Sequence, residues 1–176
     1  MKKAMQIADA SATILMSNFQ DGYGQLDALR SRYRTEPWFK DIHGDVTWLL
    51  LKKPADELRV AGPKLFSGIP LHYDPMPVLR NLTVPQLWIL GEDNVDAPSA
   101  ETAQRLRALS AAGHPISVAV YPHAEHGIYE YEIAASGERL STRQPDGYFR
   151  MMTDFILGRE LRPRYGTAPV TRAATP

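Results

Sequence analysis

Apolar positions along this chain change their period near residue 73. Before that point they recur at helical spacing. Ile7, Ile14, Leu15 and Phe19 fall near one face of a helix expected over roughly residues 4–19. Asp21-Gly22-Tyr23-Gly24 stops it. Leu26, Leu29 and Tyr33 repeat the period in a second segment, which Glu36-Pro37 terminates. Val46–Lys53 reads as a short helix or as a strand. Trp38 and Trp48 stand beside charged neighbours, a mixture that suits an inserted helical cap better than a central sheet.

Beyond residue 73 the pattern alternates between element types. Asp74-Pro75-Met76-Pro77 is a turn before a short helix, Val78–Asn81. Gln86–Leu90 is a strand whose consecutive apolar residues expect cover on both faces. Ala97–Gly113 is a helix with Ala103, Leu106 and Leu109 inward, ended by Gly113 as a left-handed cap. Ile116–Tyr121 is the next strand. A long loop over Glu125–Arg143 leads to a closing helix, Pro145–Leu157, with Tyr148, Met151, Met152, Phe155 and Ile156 on its buried face. Strand, helix and strand at this spacing form a right-handed parallel crossover. The expected organisation is a helical cap-like region over 1–72, an α/β core over 73–160 and a flexible tail over 161–176, whose prolines leave little to pack. Only two strands are evident, so the sheet should carry an open edge at Leu87–Leu90. That edge would suit a second copy of the chain or a missing N-terminal half.

Composition narrows the partners. The 176 residues carry 20 basic and 20 acidic side chains, giving zero net charge. No long-range field gathers nucleic acid or anionic lipid, so neither is expected as a partner. The apolar fraction of 44% and charged fraction of 23% are those of an ordinary globular protein. No apolar run approaches the roughly 20 residues that span a bilayer. Met1-Lys2-Lys3 and the residues after it imitate a signal peptide only faintly, because Gln6 and Asp9 interrupt the apolar stretch; the cytoplasm is the favoured compartment. The absence of cysteine removes disulfides, thiolate metal sites and cysteine nucleophiles together.

The candidate chemistry lies where the two strands end. The first runs into Gly91-Glu92-Asp93 and the second into Pro122-His123-Ala124-Glu125-His126-Gly127. A carboxylate past the carboxyl end of a strand sits at the functional edge of an α/β sheet, which favours Asp93. Asp96, just before Ala97-Pro98, can instead cap the following helix. His126, followed by Gly127 where the backbone can turn sharply, is the candidate base. His123 and His126 have His-x-x-His spacing. On a loop this does not align two imidazoles, and no third ligand is evident, so zinc is not expected. Ser67 precedes a glycine, but no glycine stands two residues before it and no apolar strand feeds it. Trp38, Trp48, Tyr129 and Tyr131 could line an acyl or peptide pocket, though packing of the cap explains them as well. Glu125 and Glu130 read as solvated loop residues that could hold a cationic substrate.

The stretches Asp74–Leu79, Val84–Asp93, Ala97-Pro98 and Val120–Gly127, with the aromatic closing helix around Tyr148-Phe149, resemble the C-terminal part of an α/β-hydrolase of the serine esterase or peptidase type. The resemblance covers about half of the chain. It implies a partial α/β-hydrolase fold, with Asp93 as the acid that orients the histidine and His126 as general base and then acid. It also implies ester or amide hydrolysis without a metal or organic cofactor, on a small-molecule ester or peptide. The nucleophile of such enzymes sits on a Gly-x-Ser-x-Gly turn between strand and helix. No such turn occurs in these residues. The chain is therefore expected to supply acid and histidine only and to be inactive alone. A non-catalytic module that docks on another chain, or binds a ligand through the cap aromatics, is the alternative.

Overall fold

A computed structural model describes residues 2–42 and 46–173. The chain divides into two compact units. The first comprises the residues up to Asp74 together with Val95–Ala97 and Ile133–Arg139. The second comprises Pro75–Asn94, Pro98–Glu132 and the residues from Leu140 onward.

The first unit is helical, as the apolar period requires. Helix α1 (Lys2–Met16) presents Ala4, Ile7, Ala10 and Ile14 on one fully buried face. Each buried isoleucine contributes about 1.5–3 kcal/mol. The chain reverses after α1 through left-handed Asn18 and Phe19, at φ 52° and 65°. That conformation is unfavourable for an aromatic residue. Complete burial of the Phe19 ring, 5.1 Å from that of Phe66, offsets it. Helix α2 (Tyr23–Tyr33) follows, and Pro37 opens a 3₁₀ turn over Pro37–Asp41. The segment left open between helix and strand is helix α3 (Val46–Lys52). Helix α4 (Ala55–Leu65) buries Leu58 and Gly62 at i, i+4 spacing and lies where the apolar pattern sets no expectation. Trp38 is half-buried against this core, and Trp48 stays 42% exposed.

The second unit is built on a parallel strand pair. After helix α5 (Met76–Asn81), strand β1 (Gln86–Gly91) pairs with β2 (Ile116–Tyr121), from Gln86 opposite Ile116 to Gly91 opposite Tyr121. Helix α6 (Ala100–Ala111) forms the crossover. It buries Ala103, Leu106 and Leu109, and Gly113 follows its end at φ 91°. Period-2 alternation sends Trp88, Leu90, Ile116, Val118 and Val120 to the face that packs on α6. Leu87, Ile89, Ala119 and Tyr121 go to the opposite face with helix α7 (Tyr148–Ile156). Both faces are covered, as consecutive apolar strands demand. On α7 the expected inward set needs one change: Ile156 is 75% exposed, and the buried residue of its last turns is Asp154.

Two corrections concern segments expected to be irregular. The loop after the histidine carries strands β3 (Tyr131–Ile133) and β4 (Arg139–Ser141), which form a two-stranded sheet. The stretch 161–176, expected as a flexible tail, carries β5 (Arg164–Tyr165) and β6 (Ala168–Thr171), with 174–176 outside the described residues. Strand β6 pairs antiparallel with β2, so the sheet order is β1-β2-β6-β5. Tyr165 and Ala168 are buried in the α7-side core. Among the described residues β1 thus has one strand neighbour and stands at the sheet's edge. The architecture is α/β with a small mixed sheet.

Asp154 anchors this added hairpin. Its carboxylate is almost fully buried, accepts from the Tyr165 hydroxyl at 2.9 Å, and meets Arg150 at 3.0 Å and Arg159 at 3.2 Å. Burial opposes ionisation, but the Tyr165 hydroxyl and the two guanidiniums outweigh it and hold the Asp154 carboxyl below its ordinary range. Because the folded value is the lower one, this stability is present above the ordinary carboxylate pKa and fades as pH falls towards the folded value. Denaturant titrations from pH 6 to pH 2 are expected to show this acid slope in the wild type and a flatter one in Asp154→Asn. Tyr165→Phe should cost about 1–2 kcal/mol at neutral pH. In the first unit, Gly62→Ala is expected to destabilise although it adds helix propensity. A Cβ there would stand 2.3 Å from the buried Phe19 ring. Overpacking of about 1–3 kcal/mol exceeds the gain of about 0.5–1 kcal/mol from removing a helical glycine. Chemical denaturation measures the sign.

Candidate functional site

Parallel pairing brings the carboxyl ends of β1 and β2 side by side. Each strand is then held to the other's exit loop by backbone. Glu92 N–H donates to the Tyr121 carbonyl at 2.9 Å and Asp93 N–H to the Ala124 carbonyl at 3.0 Å. Gly91 makes this approach possible. A Cβ at that position would lie 2.3 Å from the Glu125 carbonyl oxygen and 2.6 Å from that of Ala124. The Gly91 carbonyl is itself fixed by the buried Ser99 hydroxyl, which donates to it at 2.7 Å. Ser99 also occupies the position just before α6, where Asp96 was expected as cap, and α6 begins at Ala100.

The histidine loop is a tight, internally bonded turn. His123 and Ile128 both adopt left-handed backbone, at φ 55° and 57°. Between them Ile128 N–H donates to the Glu125 carbonyl, and Glu125 N–H donates to that of Tyr129. An isolated bridge joins Ala124 to Glu130. Buried Ala124 and Ile128 anchor the loop, with His126 exposed between them and His123 exposed just before Ala124. Gly127 serves a different purpose from the expected sharp turn. The positive φ values fall on His123 and Ile128, while the bare Gly127 leaves room for the Tyr129 ring, whose nearest carbon would lie 2.9 Å from a Cβ.

Asp93 and His126 reach the same end of the sheet with different partners. Asp93 Oδ2 accepts from the Tyr131 hydroxyl at 2.7 Å and stands 3.5 Å from His123 Nδ1. His126 Nδ1 lies 3.0 Å from Nδ2 of Asn94, a buried residue. The expected Asp93–His126 contact is absent among the described residues. His123 is solvated, as expected, and is also the imidazole nearest the acid; Tyr131 is a partner of that acid.

The remaining candidates have the following surroundings. Glu125 accepts from the Ser141 hydroxyl, and Glu130 pairs with Arg143 at 3.1 Å. Ser67 is exposed in the turn after α4, in the first unit. Trp38 donates to the Glu36 carboxylate in that same unit. Beneath the histidine loop, the Tyr121 hydroxyl is buried without a protein partner. Its pKa is pushed up to about 12 by burial, with the neighbouring Tyr148 and Tyr165 phenols adding to the shift. Among the described residues no group of three or more His, Asp or Glu side chains could hold a metal ion, and no helix is long and apolar enough to cross a membrane.

Comparison with protein-family models, with curated proteins and with solved structures returned no match.

Gly91→Ala is expected to displace the 124–126 backbone, because carbonyl oxygens cannot yield as a flexible side chain would. The cost should be about 1–3 kcal/mol, read by denaturation, with large shifts of the His123 and His126 ring signals in NMR spectra.

Proposed function

We propose that this chain supplies the imidazole corner of an acyl-hydrolase site of the α/β-hydrolase type, with the nucleophile contributed by a segment outside these 176 residues. One observation carries the reading. Two strands run parallel in register, and their carboxyl-end loops place a histidine against a buried polar side chain, with a carboxylate one residue away. That is the location at which open α/β sheets build sites. In the proposed reaction a serine attacks an ester or amide carbonyl and passes its proton to His126, which later delivers it to the leaving group. Asp93 keeps its carboxylate on Tyr131 and His123, at the same end of the sheet as His126. The nucleophile-bearing segment would add a strand along the outer edge of β1, where a parallel strand continues the pattern set by β2.

A second reading is favoured by the identity of the His126 partner. An amide in place of a carboxylate suits a module that docks on another chain, or binds a ligand, without turning it over.

Purified chain is expected to hydrolyse p-nitrophenyl acetate no faster than its His126→Ala variant. Substantial His126-dependent turnover would locate a nucleophile within these residues and overturn the division proposed here. The genomic reading frame upstream of Met1 is expected to encode an apolar strand followed by Gly-x-Ser-x-Gly. A frame without that turn favours the docking module.

A further inference from the structure

The contact between Asn94 and His126 has chemical content beyond packing. Asn94 is 6% exposed, and its Nδ2 lies 3.0 Å from His126 Nδ1. An amide nitrogen carries two hydrogens and no usable lone pair, so it only donates. The ring nitrogen facing it must therefore be the acceptor, and the proton of the neutral imidazole resides on Nε2. A carboxylate at the same place imposes the opposite arrangement. It only accepts, keeps the proton on Nδ1, and leaves the Nε2 lone pair available as a base. The neighbouring carboxylate does not reverse this, because Asp93 is directed to Tyr131 and His123.

We infer that Asn94 is the positioning residue of His126 and holds its neutral ring in the Nε2–H form, so that this corner presents a hydrogen-bond donor, suited to a carbonyl or carboxylate oxygen, where a hydrolase site needs a proton acceptor. The inference rests on the second reading, a module that binds without turnover, and names the chemistry its imidazole offers; the proton-accepting role that the hydrolase reading gives His126 requires the other tautomer. It adds that one atom pair, the amide nitrogen of Asn94 against an acid oxygen, separates this imidazole from a competent base. Replacement of the orienting carboxylate by an amide is a change that costs a serine hydrolase about 10⁴-fold in kcat through the wrong tautomer.

The test reads the ring directly in the intact, uniformly ¹⁵N-labelled chain. Long-range ¹H–¹⁵N correlation spectra above the His titration range distinguish the two tautomers, and a ¹⁵N–¹⁵N coupling across the hydrogen bond identifies the partner. The wild type is expected to show Nε2–H at His126 with a coupling from Nδ1 to the Asn94 side-chain nitrogen. Asn94→Asp is expected to switch the major form to Nδ1–H. Asn94→Ala should lose the coupling and let both forms coexist. Asp93→Asn should leave the His126 pattern in place and move that of His123. An Nδ1–H form in the wild type would mean that the amide carbonyl faces the ring, and would overturn the proposal. A His126 tautomer that follows Asp93 rather than Asn94 would overturn it as well. These readouts concern the free chain, so they stand or fall separately from any result on ester turnover.

Discussion

The parallel pairing of β1 with β2 is the constraint on which the rest of the second unit depends. Parallel strands need a crossover, which α6 supplies, and cover on both faces, which α6 and α7 supply between them. The same pairing sets both carboxyl ends level, with Gly91 opposite Tyr121. The backbone amides of Glu92 and Asp93 can then reach across to the carbonyls of Tyr121 and Ala124. Were the register to slip by one residue, each side chain of the slipped strand would change from the α6 face to the α7 face or the reverse. The histidine loop would also lose its seat on Gly91. Site geometry here follows from strand pairing more than from any contact between the functional side chains.

How much of this could be read from the sequence depended on how local the determinants were. Helix α6 was legible because its spacing, its inward Leu106 and Leu109 and its terminal Gly113 are all local signals. The consecutive apolar residues Leu87–Leu90 announced a strand covered on both sides. Strands β5 and β6 were not legible. They are two and four residues long, with Pro163 just before the first and Pro169 inside the second, and they owe their form to the distant strand β2 and to Asp154. Helix α4 was obscured by Gly62-Pro63 inside it; Pro63 breaks the local pattern, while Gly62 is required by the Phe19 ring.

At the candidate site the sequence expects Asp93 opposite His126, and the structure gives each of the two a different hydrogen-bond partner. Glu92, Asp93 and Asn94 are three polar residues in succession after a strand, and only the path of the turn decides which one faces the histidine loop. A preference for carboxylates singled out Asp93, whereas the backbone directs the buried Asn94 to His126 and sends Asp93 to Tyr131 and His123. Spacing after the glycine is the one sequence signal that points to Asn94. Left-handed Ile128 was likewise hidden, because a β-branched residue rarely adopts that conformation.

The first unit gathers its own pieces from three separate parts of the chain. Val95 lies in the helical core, and Asp41 accepts from the Arg139 backbone N–H, although nearly a hundred residues of sequence separate that last pair. The hairpin of β3 and β4 is shared in the same way, its tip counted with one unit and its base with the other. No single scission of the polypeptide can therefore release an intact half. An excised fragment ending at Asp74 would lack Val95 from its core and Arg139 from its ion pair with Asp41, so dissection of this protein has to follow its interleaved topology rather than its linear order.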